Sequence, residues 1–257
     1  MNKIALLFIM AVALGCISQK SVYDMRKPDV LLELPKKLNE ISGLEFISDS
    51  VLASVQDEKG RVYLLNANTG KVIEHFDFGP KGDYEGIAYH DNYYYVLRSD
   101  GKIYKTQPGK ESEHFKFKNN KNFDFEGLCV DERNNQLLVA CKTHGEKKKR
   151  DHIYIYSFSL TKEKYDKKRA FKIDKKEVDK NFKPSGIAIH PNGDIYVLSS
   201  FSKSLLVLNN NGAIKSHHFL DQEVFHQPEG ITFNAQGDLF ISNEKNSKVP
   251  TLLRFKK

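Results

Sequence analysis

The sequence predicts an all-β fold: a β-propeller of five four-stranded blades, closed by an N-terminal strand. Three observations predict it. A Gly-led apolar motif recurs five times, short strand patterns separated by turns follow each copy, and the last copy ends one strand short. Four strands in a unit of roughly 40–45 residues is the blade pattern.

The five copies are Ile41-Ser42-Gly43-Leu44, Tyr84-Glu85-Gly86-Ile87-Ala88, Phe125-Glu126-Gly127-Leu128, Pro184-Ser185-Gly186-Ile187-Ala188 and Pro228-Glu229-Gly230-Ile231. Their glycines stand at 43, 86, 127, 186 and 230, with spacings of 43, 41, 59 and 44. The long interval contains residues 143–151, whose run Lys147-Lys148-Lys149-Arg150 reads as a loop insertion. Six blades are the alternative, with the extra blade hidden in this third unit.

Each Gly begins a first strand. Turns such as Asp91-Asn92, Arg133-Asn134-Asn135 and Pro191-Asn192-Gly193-Asp194 lead to second strands at 51–55, 93–97, 136–140, 194–198 and 238–242. Such turns between β-branched and aromatic runs are hairpin signals. Third strands are expected at 61–66, 101–106, 152–160, 204–209 and 249–255, and fourth strands at 72–78, 113–117, 169–173 and 213–220. The fifth unit lacks its fourth strand. Residues 29–35 (Asp-Val-Leu-Leu-Glu-Leu-Pro) can supply it and so remove two sheet edges.

The remaining 28 residues read as an address. Lys3 precedes the apolar run from Ile4 to Gly15, too short for a membrane span, and Cys16 follows. This predicts a signal peptide over 1–15, a lipidated polar tether over 16–28 and a propeller domain over 29–257. Diacylation of Cys16 would anchor the chain to a membrane of the cell envelope.

Composition narrows the classes. With 257 residues, 40% hydrophobic and 28% charged, the chain can bury a sizeable core. Three cysteines cannot build a disulfide framework. Cys129 is expected to face Leu138, and Cys141 to face Glu126, which leaves both thiols free. The net charge of +7 fits nucleic acid or anionic lipid. Lysines spread over the turns of an exported protein argue against nucleic acid.

In a propeller the first strands line the axis, and the loops entering them share a rim with the loops leaving the second strands. The first column at that rim is Ser42, Glu85, Glu126, Ser185 and Glu229. The second is Gln56, Arg98, Cys141, Ser199 and Asn243, followed by Asp57, Ser99, Lys142, Ser200 and Glu244. Three converging glutamates repel one another unless something neutralises them. A hard cation such as Ca²⁺, held by Glu85, Glu126 and Glu229, is one solution. Arg98 and Lys142 are another. The plainer reading is that each Glu pins the start of its blade. Among the histidines no zinc-binding spacing occurs, and His226 is the best-placed rim base. Serine-hydrolase elbow, phosphate loop and dinucleotide fingerprint are all missing from the sequence.

The order Ser-Gly, Glu-Gly, Glu-Gly, Ser-Gly, Glu-Gly, with Asp83-Tyr84-Glu85-Gly86-Ile87-Ala88-Tyr89 and Pro184-Ser185-Gly186-Ile187-Ala188-Ile189-His190-Pro191, resembles the SdiA-regulated propeller family over residues 30–257. The resemblance implies an exported, membrane-associated propeller and carries over no catalytic residue. A wider resemblance is to the calcium-dependent lactonase and phosphotriesterase propellers, which set a Glu, an Asn and an Asp around a channel calcium. Here Glu85, Glu126 or Glu229 with Asn243 and Asp57 would take those parts.

The expected function is a binding or interaction module of the cell envelope, with a small molecule or an envelope protein as ligand. The alternative is a calcium-dependent esterase or lactonase that uses metal-bound water at the same rim.

Overall fold

The strand patterns pair as the repeats dictate. The computed structural model describes residues 23–48, 50–118 and 122–257, which form five antiparallel sheets around one axis. Residues 1–15 and Cys16 lie outside the described residues.

Blade 1 consists of Ile41–Ser48, Val51–Gln56, Lys59–Asn66 and Val72–Asp77. Blade 2 consists of Tyr84–His90, Tyr93–Arg98, Ile103–Thr106 and Glu113–Phe115. In blade 3, Asp124–Asp131, Gln136–Thr143 and His152–Ser159 are followed by an outer strand in two pieces. Lys164–Tyr165 and Phe171–Asp174 both pair with His152–Ser159, at opposite ends of it. The long third interval is therefore one blade with a broken edge, and the six-blade alternative is set aside. Blade 4 consists of Gly186–Ile189, Ile195–Ser199, Ser204–Leu208 and Ile214–Phe219.

Blade 5 closes the ring. Pro228–Phe233, Leu239–Asn243 and Thr251–Phe255 are completed by Val30–Glu33, which runs antiparallel with Val30 opposite Arg254 and Glu33 opposite Thr251. The Leu34 amide donates to the Pro250 carbonyl at 2.8 Å and extends this pairing.

The core consists of five apolar layers, each between neighbouring blades. Tyr23 and Met25 join the layer between blades 4 and 5, beside Tyr196, Phe225 and Phe233. The Tyr23 hydroxyl donates to the Gly237 carbonyl at 2.5 Å. The expected tether over 16–28 thus gives way to packed chain by Tyr23: an aromatic and a Met within a polar stretch found an apolar slot.

Close approach explains the recurring glycines. A Cβ on Gly43 would lie 2.8 Å from the Ile87 amide nitrogen, and one on Gly186 would lie 2.4 Å from the Glu229 carbonyl oxygen. Each inner strand rests directly on the next, leaving only about 10 Å³ at the axis. That is near the minimum for a single water. The axis is a packed plug.

Cys129 pairs with Leu138 as expected, but Cys141 pairs with Phe125 rather than Glu126. A register shift on both sides of Phe125 moves the pairing by one residue. Both thiols are free and buried.

Candidate functional site

Irregular pairing recurs where the motif enters its blade. Register shifts fall between Ile41 and Leu44, Tyr84 and Gly86, Phe125 and Gly127, and Pro228 and Ile231. Bulges of this kind re-aim side chains and increase local twist. In blades 1, 2, 3 and 5 they fall around the residue before the Gly, and Ser42, Glu85, Glu126, Ser185 and Glu229 surround one small space at the axis.

The two serines act as stitches between blades. Ser42 Oγ donates to the Tyr84 carbonyl at 2.5 Å, and Ser185 Oγ donates to the Pro228 carbonyl at 3.0 Å. Each bond spans two blade starts. The glutamates at the equivalent positions carry charge instead.

Burial raises the pKa of all three. For Glu85 the Glu126 charge adds to burial, and its carboxyl is also hydrogen-bonded to that of Asp83. For Glu126 burial and the Glu229 charge outweigh the opposing effect of Lys142. Burial brings Glu229 to about 7, while hydrogen bonds from Ser200 and Gln227 and the charges of Lys142 and Lys203 hold it down.

A third column went unrecognised in the sequence. Three residues before the glycines of blades 1, 2 and 3 stand Glu40, Asp83 and Asp124, and in blades 4 and 5 Lys183 and Gln227. The constant offset was the available signal. Glu40 is hydrogen-bonded to Glu244, whose pKa is raised by burial, by that bond and by the Glu229 charge. Asp57 is lifted to about 6 by burial and by Glu40, Asp83 and Glu58. A neighbouring carboxyl favours the protonated form, since an ionised carboxylate only accepts hydrogen bonds. Asp83 acts so on Glu85, and Glu40 on Glu244.

The cations are unequally placed. Lys142 donates from Nζ to Oε1 of Glu126. Arg98, expected beside the glutamates, forks onto Asp100 and borders an outer groove with Lys102, Lys116 and Phe117. Asp100 lies two residues along in the same turn and captures the guanidinium first. Asn243, expected at the rim, is fully buried and donates to the Val224 carbonyl and to Thr251 Oγ1, both at 3.0 Å. It braces the loop into blade 5. His226 is buried as well, and desolvation lowers its pKa.

Among the described residues no group of three or more His, Cys, Asp or Glu side chains is drawn together as metal ligands. The cation in contact with Glu126 is the Lys142 ammonium. What the mouth offers chemically is a surplus of carboxyl groups whose pKa values are raised by burial and by one another.

A packed five-bladed ring with an acidic mouth is the class that fold and site define. The chain belongs to the SdiA-regulated family, whose family model matches residues 29–248. No curated protein matches it. Among solved structures it resembles glutaminyl cyclase of Myxococcus xanthus, with a TM-score of 0.65 and 13% identity over 90% of this chain and 95% of that one. It also resembles a luciferin-regenerating enzyme (TM-score 0.53, 10% identity, covering 90% and 96%) and a chain of a nidogen/laminin complex (TM-score 0.53, 16% identity, covering 79% and 72%). At these identities the likeness concerns the fold alone. No helix of the described residues is long and apolar enough to cross a membrane.

Proposed function

We propose that the protein is a binding module of the cell envelope whose mouth receives a positively charged group, an amine or guanidinium of a small molecule or of an envelope protein. One observation carries the reading. Glu85, Glu126, Glu229 and Glu244 all have raised pKa values at one mouth, and among the described residues Lys142, on Glu126, is the cation ion-paired with them. An arriving cation takes the place of the protons these carboxyls hold and favours their ionised forms. Lipid on Cys16 would hold the module at the membrane.

Calcium at Glu85, Glu126 and Glu229, with hydrolase chemistry, is the rival reading. It needs the three carboxylates drawn around one ion, and it competes with Lys142 for Glu126.

Calorimetric titration with spermidine, and separately with Ca²⁺, tests the proposal. Saturable spermidine binding that weakens in both Glu85→Gln and Glu229→Gln supports it. Absence of spermidine binding at millimolar concentration overturns it, and Ca²⁺ binding lost in the same variants would favour the rival.

A further inference from the structure

Lysines that look evenly spread in the sequence converge in space. Three basic segments meet where blade 2 passes to blade 3: Lys116 and Lys118 after the last strand of blade 2, Lys149 in the inserted loop, and Lys164, Lys167 and Arg169 around the break in the outer strand of blade 3. The break has a structural consequence. With Lys164–Tyr165 and Phe171–Asp174 pairing at opposite ends of His152–Ser159, the chain between them leaves the sheet and opens a cleft of about 410 Å³.

Six cations border this cleft against two carboxylates. Both carboxylates are engaged: Glu146 by Lys149 at 2.7 Å, and Asp166 by the Ser157 hydroxyl at 2.9 Å. Among the described residues, Lys116, Lys118, Lys164 and Lys167 are in no ion pair, and all four are exposed. Arg169 lies over the Tyr154 ring at 5.1 Å. Aromatic rings form the floor. Phe117 lies 5.2 Å from Phe123, 5.2 Å from Tyr156 and 5.0 Å from Tyr165, centroid to centroid, and all four rings are half-buried.

We propose that this cleft is a second binding site, for a phosphorylated compound that carries a ring. The volume falls within the range of small-molecule sites, about 300–1,000 Å³. The lysines supply donors for the phosphate oxygens, and the half-buried rings supply an apolar surface for the ring. The site is separate from the acidic mouth, opposite in charge, and does not depend on the reading given to that mouth.

The test uses the folded mature chain at low salt and titrates four probes by calorimetry: ADP, glucose 6-phosphate, pyrophosphate and adenosine. ADP or glucose 6-phosphate should bind more tightly than pyrophosphate, and which of the two prevails distinguishes a flat ring from a sugar ring. Adenosine should bind weakest. The double variant Lys164→Gln/Lys167→Gln alters only exposed side chains and should lower affinity at least about tenfold, since each lost charge-assisted hydrogen bond is costly. Glu85→Gln at the mouth should leave it unchanged. No heat from either phosphorylated ring compound at millimolar concentration overturns the proposal, as does equal binding by the double variant. Pyrophosphate binding as tightly as both ring compounds overturns the role of the aromatic floor.

Discussion

Lys142 reaches back from the end of its blade's second strand to the Glu126 carboxylate at the start of the first. Glu126 is buried, whereas Lys142 is partly open to solvent. Among the described residues, the pair makes blade 3 the place where an ammonium touches the acidic mouth, while burial and neighbouring carboxyls raise the pKa values of Glu85 and Glu244.

Replacing Lys142 with Met should therefore have a pH signature. Above about pH 8, where Glu126 ionises, it leaves a buried carboxylate without its donor and should cost about 1–3 kcal/mol. Near pH 5 Glu126, whose pKa is raised by burial and by Glu229, takes up a proton, and the cost should largely vanish. Urea melts of the variant at the two pH values measure the difference. An equal loss at both would mean that Lys142 contributes packing rather than charge.

Overall stability should fall as the mouth ionises. Glu229 titrates near 7 in the folded protein against an ordinary value of 4.5, and Glu85 and Glu244 are raised as well. A carboxyl with a raised folded pKa binds its proton more tightly when folded. Its stabilisation is complete below the unfolded value and is lost as pH rises through the folded one. The melting temperature should decline from about pH 4.5 through about 7 as Glu229 ionises, and further toward about 9 and about 10 as Glu244 and Glu85 follow. Glu229→Gln, measured by calorimetry over that window, should flatten the decline.

The N-terminal contacts give a graded series of truncations. A chain beginning at Tyr23 keeps every described contact and serves as the reference of the series. A chain beginning at Asp29 loses Tyr23 and Met25 from the layer between blades 4 and 5. Tyr23→Ala alone should cost about 3–5 kcal/mol, as for other buried aromatics. A chain beginning at Lys36 removes the partner of Thr251–Phe255 and should lose cooperative unfolding. Circular-dichroism melts of the series check the order.

Membrane attachment rests on Cys16. Cys16→Ala should abolish metabolic fatty-acid labelling and release the protein from the membrane fraction. Labelling and retention equal to those of the unsubstituted chain would reject the lipid anchor.

The fold was legible because its cause is periodic. Close approach of successive inner strands demands a glycine in every blade, so Gly43, Gly86, Gly127, Gly186 and Gly230 mark the repeat in the sequence. The closing strand was legible by subtraction, since the fifth unit lacks one. The site was legible only in part. Glu85, Glu126 and Glu229 share an offset from the glycines, and so do Glu40, Asp83 and Asp124 two residues earlier in the repeat. Offset alone gave no direction to Arg98 or Asn243, because each is decided by a neighbour: Asp100 draws off the guanidinium, and Val224 and Thr251 hold the amide inside the blade. Nor does sequence spacing reveal the basic cleft, which exists only after blades 2 and 3 bring three distant segments together.

The central claim is that protons held by the carboxyls at the mouth are exchanged for a ligand's positive charge. Spermidine calorimetry near pH 7, repeated in buffers of different ionisation enthalpy, measures it directly by counting protons. The account predicts net proton release on binding, reduced in Glu85→Gln. Binding without proton release, or with proton uptake, would contradict it.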